Sequence, residues 1–428
     1  MPARMWRHGI HSFLELLRHR LPDSLDHMLA FVYLAYSMMA LLMESVPSFE
    51  ETWIECLGDL ARYRMAIEEA DLRDREIWSG VARMWYNKAA GKSPNVGRIQ
   101  HHLAVLARPN IVQQLFYYSK ALVSVIPFQN ARESVMLLFN PFLESSEIAS
   151  QRYPLVEAAL VKANGILFTH GSISEYTSLM EQFCAALDNH IGRVTAKFRV
   201  QGPEIASSLC AATFDFGSAT AFLTQHFRDQ EGLIRTQLPA YQGSGGQEEA
   251  SLGEEDANIK HTSMIAYWTS LGDTSEAVRA NPQCPNTDDM VFSDSDDAAA
   301  HACQSLGETT SVVSQRIGDK NILPYMHVIL AYLFGLAFVP NAVIYVEGWL
   351  PWENIVIFLN TLGRSGVVEA RFEGAEFPQQ MSGTGRQLPE DFVEEQRDWE
   401  LASHAAAGTG RSLWHNVLLS SVSDTNRR

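Results

Sequence analysis

The chain has 428 residues, 46% of them hydrophobic and 19% charged, enough apolar material for a sizeable core in two or three domains or one long superhelix. Its 33 basic and 50 acidic side chains leave a formal charge of −17, which repels a polyphosphate at long range and argues against nucleic-acid binding over the whole surface. Residues 1–150 carry 15 basic against 16 acidic groups and residues 151–428 carry 18 against 34, so only the N-terminal part can offer a neutral or locally basic face.

From Trp6 to Leu143 apolar residues recur at helical spacing and no useful run alternates with period two, which predicts an all-α array of antiparallel pairs. The first helix is expected over His8 to Leu21, with Ile10, Phe13, Leu14, Leu17 and Leu21 on one stripe and His11, Glu15 and Arg18 on another, closed by Pro22. The next, Leu25 to Glu44, is apolar on nearly all faces, which predicts packing on several sides. Pro47 and Ser48 open a third that runs to Ile67, and others are expected at about 72–90, 95–107, 110–125 and 129–142. A repeat pattern lies inside this array. Leu57-Gly58 is followed by Ala82, Tyr86, Ala89 and Pro94, whose last three spacings match the tetratricopeptide pattern, and a second unit reads Leu103-Ala104, then Tyr118, Ala121 and Pro127. Small residues at 58 and 104 let helix backbones approach, and a charged insertion, Glu68 to Glu76, separates the halves of the first unit.

Helices are expected to continue through about residue 240. The stretch 241–318 reads as an acidic, mostly disordered linker: residues 241–300 carry 12 acidic against 2 basic groups, with a short helical island at His261 to Leu271. Apolar helices resume over 319–402, and 403–428 reads as a loose tail. Two uncharged stretches, Met28 to Met43 and Asn321 to Val346, are weighed as membrane spans. The first is short and holds Tyr33, Tyr36 and Ser37, and the second is interrupted by Pro324, His327, Gly335, Pro340 and Asn341, so both read as core helices. Cys56, Cys184, Cys210, Cys284 and Cys303 lie far apart with no C-x-x-C pair, which indicates neither a disulfide framework nor zinc and suits a reducing compartment, nucleus or cytoplasm. The opening MPARMWRHGI lacks the apolar core of a secretory signal.

Several runs together resemble a known family: CLGDLARYR (Cys56 to Arg64), Trp85-Tyr86, SPNVGRIQHHLAVLA (Ser93 to Ala107), Tyr117-Tyr118 and Pro127-Phe128, then LPWENIVIFLNTL (Leu350 to Leu362) and LPEDFVEEQRDW (Leu388 to Trp399). They are similar to the Est/SMG proteins, telomerase-associated and nonsense-mediated-decay factors, and the wording from Arg7 to Phe31 is nearest to filamentous-fungal members. The resemblance implies a 14-3-3-like tetratricopeptide array over 1–145, a helical continuation over 146–240 and a C-terminal helical hairpin region. It also implies a phosphopeptide pocket. Carried over by motif, Arg62 and Tyr63 match the family's Arg-Tyr pair, a planar fork plus a hydroxyl donor for a phosphoryl group. His11 stands where decay-factor relatives place a Lys, so the pocket is expected to be weaker or pH-sensitive. Arg7, Arg18 and Arg64 are candidates to substitute, and His101-His102 replace an Asn-Gln pair that clamps peptide backbone.

Each of these residues also has a plainer reading. Arg62 lies three residues from Asp59 on one helical stripe, so a local ion pair explains it. Adjacent histidines on a helix point about 100° apart and cannot share one metal ion, so no metal site is expected. Trp85, Tyr86, Tyr117 and Tyr118 fit repeat packing or base stacking, and Ser293 and Ser295 in FSDSDD fit a solvated charge run or acidic-directed phosphorylation. No Walker loop, dinucleotide fingerprint, nucleophile elbow or HExxH motif is present, so neither catalysis nor a cofactor is expected. Three functions stay open. One is an adaptor for a phosphorylated protein partner; another is a module for RNA or telomeric DNA, using a face built from residues such as Arg62, Arg73, Arg83, Lys88 and Arg98. The last is a scaffold without a pocket.

Overall fold

The computed structural model describes residues 2–68, 71–144, 152–227, 294–337, 339 and 342–363, and over these the chain is an all-α helical array. It divides into two compact units, Met1–Ala212 and Thr213–Arg428. In the first, Pro2–Arg4, Met5–His11 and Ser12–Arg18 run on as one helix, α1, whose middle section Met5–His11 has the wider π pitch. There follow α2 (Leu25–Ser45), α3 (Glu50–Ile67), α4 (Leu72–Lys92), α5 (Gly97–Leu106), α6 (Ile111–Val123) and α7 (Ala131–Leu143). Then come α8 (Leu155–Phe168), α9 (Ile173–Val194) and α10 (Phe198–Thr213).

Local chemistry sets these boundaries. Asp71 caps α4 by accepting the backbone N–H of Arg73 at 2.8 Å, Asn110 caps α6 by accepting that of Gln113 at 3.1 Å, and Ser172 caps α9 with Glu175 three residues on. Pro22, Pro94, Pro109 and Pro127 fall in the connections, where no ladder N–H is needed. The repeat positions fill the seams between helices. A Cβ on Gly58 would stand 2.8 Å from Cε1 of Tyr86, so glycine is what lets α3 settle against α4, with Ala82 and Ala89 buried alongside. Ala104, Tyr118 and Ala121 are likewise buried.

The core nearest the N-terminus joins Ile10, Leu14 and Leu17 of α1 to Met28, Val32, Ala35 and Met39 of α2 and to Trp53, Leu57 and Leu60 of α3. Here α2 departs from expectation. It buries that one stripe and leaves Tyr33, Leu34, Met38 and Leu41 exposed, so it is packed on one side rather than several. An all-round apolar pattern marks what a helix tolerates, and the partners it meets are set by its place at the outside of the α1–α4 layer. Among the described residues α2 is also the helix long and apolar enough, by length and composition, to cross a membrane.

The second unit holds α11 (Asp294–Ser314), α12 (Leu323–Ala337), α13 (Ala342–Glu347) and α14 (Trp352–Gly363). Helix α11 corrects the linker reading over its last part. Ala298, Ala299, Ala302, Cys303, Leu306 and Val313 form a buried helical stripe that the preceding acidic run conceals in composition. Pro324 occupies the second position of α12, where it opens the helix instead of breaking it. Asn354 of α14 donates to the Ser311 hydroxyl of α11 at 3.0 Å, and Thr310 meets the buried Tyr325 hydroxyl at 3.2 Å. Residues 241–293, with the helical island and Ser293, the run Leu388 to Trp399 and the tail lie outside the described residues.

Candidate functional site

Helices α1 and α3 lie side by side with the start of α2 below them, and between them runs a groove of about 320 Å³ lined by His11, Glu15, Arg18, Leu21, Met28, Arg62, Tyr63, Ala66 and Ile67. Its polar wall comes from two helical spacings. His11, Glu15 and Arg18 are successive turns of α1, and Arg62 and Tyr63 are neighbours on α3, so the groove gathers all three residues of the expected pocket.

The Tyr63 hydroxyl donates to Oε1 of Glu15 at 2.6 Å and stands 3.3 Å from Nδ1 of His11. A phenol has one proton. With it committed to the carboxylate, the His11 nitrogen is the donor to the phenol oxygen. Arg18 reaches both oxygens of Glu15 at 3.4 Å. The hydrogen bond from Tyr63, followed by the Arg18 charge, outweighs burial and holds the Glu15 carboxyl below its ordinary range. Burial, and then the same bond, push the Tyr63 phenol up.

Arg62 is tied on its inner side. Its Nη2 donates to Asp59 at 3.1 Å and its Nε to the Tyr86 hydroxyl at 3.3 Å, while Tyr86 donates to the same Asp59 oxygen at 2.6 Å. The local ion pair anticipated from the sequence is present. Burial works against the guanidinium charge, but Tyr86 and Asp59 more than offset it, and the pKa of Arg62 rises. Its Nη1 has no partner among the described residues, and a third of the side chain is exposed, at 33%.

The accessory candidates lie elsewhere. Arg64 is buried, paired with Glu68 at 2.7 Å and placed over the Trp78 ring, because two residues on from Arg62 a helix has turned about 200°. Arg7 is exposed and does not line the groove: the π section sets Trp6, five residues back, beside His11, with ring centroids 6.4 Å apart. His102 stacks on Tyr86 at 5.0 Å and burial pushes its pKa down to about 4, while His101 meets the Ser134 hydroxyl at 3.0 Å and is lowered for the same reason. Neither lines the groove; His102 packs on Tyr86 behind Arg62, and His101 packs against Tyr118 and Phe128. Among the described residues no cluster of three His, Cys, Asp or Glu could hold a metal. Sequence reasoning placed Glu15 on the polar stripe of α1 without giving it a role; its spacings, four from His11 and three from Arg18, were the available signal.

Residues 82–213 match the family described as the Est1 DNA/RNA binding domain. This chain is 35% identical over 100 residues to the telomerase-binding protein EST1A of Danio rerio, covering 23% of this chain and 6% of that protein. It is 27% identical over 108 residues to the EST/SMG-like protein 2 of Saccharomyces cerevisiae, covering 24% and 8%. With the nonsense-mediated mRNA decay factor SMG7 of Arabidopsis thaliana it shares 26% identity over 196 residues, covering 36% and 18%. The match thus spans a small part of each relative's length. Within 82–213 there are 12 basic and 8 acidic residues, whereas the rest of the chain has 21 and 42. Lys92, Arg98 and Lys162 of that segment pair with Glu50, Glu55 and Glu175, while Lys88, Arg108, Arg193 and Lys197 are exposed. Over residues 82–213 the chain is thus similar to the Est/SMG proteins.

Proposed function

We propose that this protein is a non-enzymatic helical adaptor that binds a phosphorylated or acidic peptide in the groove between α1 and α3. One observation carries the reading: the groove already holds an anion. Tyr63, Arg18 and, through Tyr63, His11 converge on the Glu15 carboxylate, and that donor set is what a phosphoryl group requires. A peptide phosphate entering there takes the Tyr63 hydroxyl, the Arg18 guanidinium and the open Nη1 of Arg62. The names of the relatives support a setting in telomere maintenance or nonsense-mediated decay, in the nucleus, the cytoplasm or both.

The test is binding of phosphoserine peptides and their unphosphorylated counterparts to the full chain. Phosphate-dependent binding is expected, weakened about tenfold or more by Tyr63→Phe and by Arg18→Ala, since each removes a charge-assisted hydrogen bond. Equal binding of both peptide forms overturns the reading. A second reading, a nucleic-acid-binding module, is favoured by the basic excess of residues 82–213 within an acidic chain and by the description of the matching family.

A further inference from the structure

The Glu15 carboxylate sits where a ligand anion would sit. It accepts the Tyr63 hydroxyl at 2.6 Å, receives Arg18 on both oxygens and keeps 29% of its side chain exposed. Its neighbours are therefore satisfied before any partner arrives: Arg18 balances Glu15, and Arg62 balances Asp59. The polar wall is neutral as it stands.

We infer that Glu15 is the specificity-determining residue of this groove, an internal carboxylate that competes strongly with peptide Asp and Glu side chains and yields to a phosphate, so that acidic peptides bind the groove more weakly than phosphorylated ones. This rests on the peptide-binding reading above. A peptide carboxylate offers Tyr63 and Arg18 the same single negative charge and the same two oxygens as Glu15. Glu15, however, is tethered one helical turn from His11, at an effective concentration in the millimolar range, which a free acidic peptide at micromolar concentration does not reach. A phosphoserine differs in kind. It brings a charge of about −1.5 to −2 and three acceptor oxygens, enough to engage Tyr63, Arg18 and Nη1 of Arg62 together, where Glu15 has no contact with Arg62.

Displacing Glu15 is sterically simple. Its side chain is 29% exposed and can swing out, while Arg18, 62% exposed, is free to turn from Glu15 to the phosphate. The carboxyl is held below its ordinary range by Tyr63 in the first place, so Glu15 stays ionised and in position at neutral pH. The mechanism is a contest between two anions for one donor set. Removing the internal competitor should help the weaker external one most.

The experiment compares three versions of one peptide, bearing Ser, phosphoserine or Glu at the same position, by fluorescence anisotropy against the full chain. The proteins are wild type, Glu15→Gln, Glu15→Ala, Tyr63→Phe and Arg18→Ala, with thermal unfolding showing that each is folded. Glu15→Gln keeps the size and an acceptor for Tyr63 while deleting the charge, so it separates competition from packing. In wild type the phosphoserine peptide is expected to bind about tenfold or more tighter than the Glu peptide, and in both Glu15 variants the Glu peptide gains about tenfold while the phosphoserine peptide gains less, so the ratio narrows. An unchanged ratio in Glu15→Gln and Glu15→Ala, with phosphate-dependent binding still lost in Tyr63→Phe and Arg18→Ala, overturns the role of Glu15 and leaves the adaptor reading standing. No preference for phosphoserine over Ser in wild type or in either Glu15 variant overturns both.

Discussion

Lys120 is 4% exposed, its ammonium lies 5.6 Å from the Phe116 ring centroid, and burial pushes its pKa down to about 7. Glu204 is 1% exposed and accepts from Gln113 at 3.0 Å; burial first, then Glu157, push its pKa up to about 7. The two act on stability with opposite sign. Folding raises the affinity of Glu204 for its proton, so its contribution is present below the ordinary value of 4.5 and is lost as pH rises to about 7. Folding lowers that of Lys120, so its cost is in force below about 7 and is relieved as pH climbs toward 10.5. Urea unfolding between pH 5 and pH 10 is expected to show a stability trough near neutrality, with Glu204→Gln flattening the acid limb and Lys120→Met the alkaline one; a flat wild-type profile contradicts both assignments. Neither group was foreseen, because sequence shows a Lys and a Glu without showing what encloses them. His11, Arg62 and Tyr63 were legible for a different reason: they sit at fixed helical spacings inside a recognisable motif, which survives without knowledge of the packing.

Among the elements, α3 carries both the packing seam and the binding wall, and Gly58 links them. A Cβ there would meet Tyr86, which cannot move freely because it is buried and bonded to Asp59 and Arg62. Gly58→Ala gains about 1 kcal/mol of helix propensity but forces overpacking that costs about 1–3 kcal/mol, so a net loss of order 1 kcal/mol and a lowered Tm are expected. The same substitution should weaken phosphopeptide binding by shifting Arg62; unchanged Tm and unchanged binding would show the seam to be slack. Helix positions over 25–142 were legible because apolar spacing and prolines act locally. The partners of α2 were not, since a helix apolar on every face carries no mark of which face is covered. Nor was α11, where a run of aspartates and the alanine stripe behind it pull a compositional reading in opposite directions.

At the scale of the whole molecule, the long-range field is set by the charge of −17 and the contact chemistry by a few local donors. These separate in their salt response. A peptide phosphate held by three donors in the α1–α3 groove should lose affinity gently as salt rises, whereas a nucleic acid spread over the basic excess of residues 82–213 releases several counterions and loses affinity steeply, by about 0.9 in log K per log unit of salt for each phosphate neutralised. Titrating one complex of each kind from low to physiological salt gives both slopes, and a steep peptide slope would count against a single enclosed phosphate.

The π section of α1 has a bearing on how such a groove changes over time. A helix with one surplus residue is a phase shifter: everything upstream of it is rotated by about 100° relative to everything downstream. In this chain the rotation parks an indole beside His11 where an uninterrupted α-helix would bring Arg7, four residues back on the stripe of His11, Glu15 and Arg18. Gain of a single codon between Arg7 and His11, with the π pitch kept, would set Arg7 five residues back and swap an uncharged ring for a guanidinium beside His11. Chain length within one helical turn thus works as a charge dial for the site, and relatives of this protein can differ by a full positive charge there without any substitution among the residues that touch the ligand.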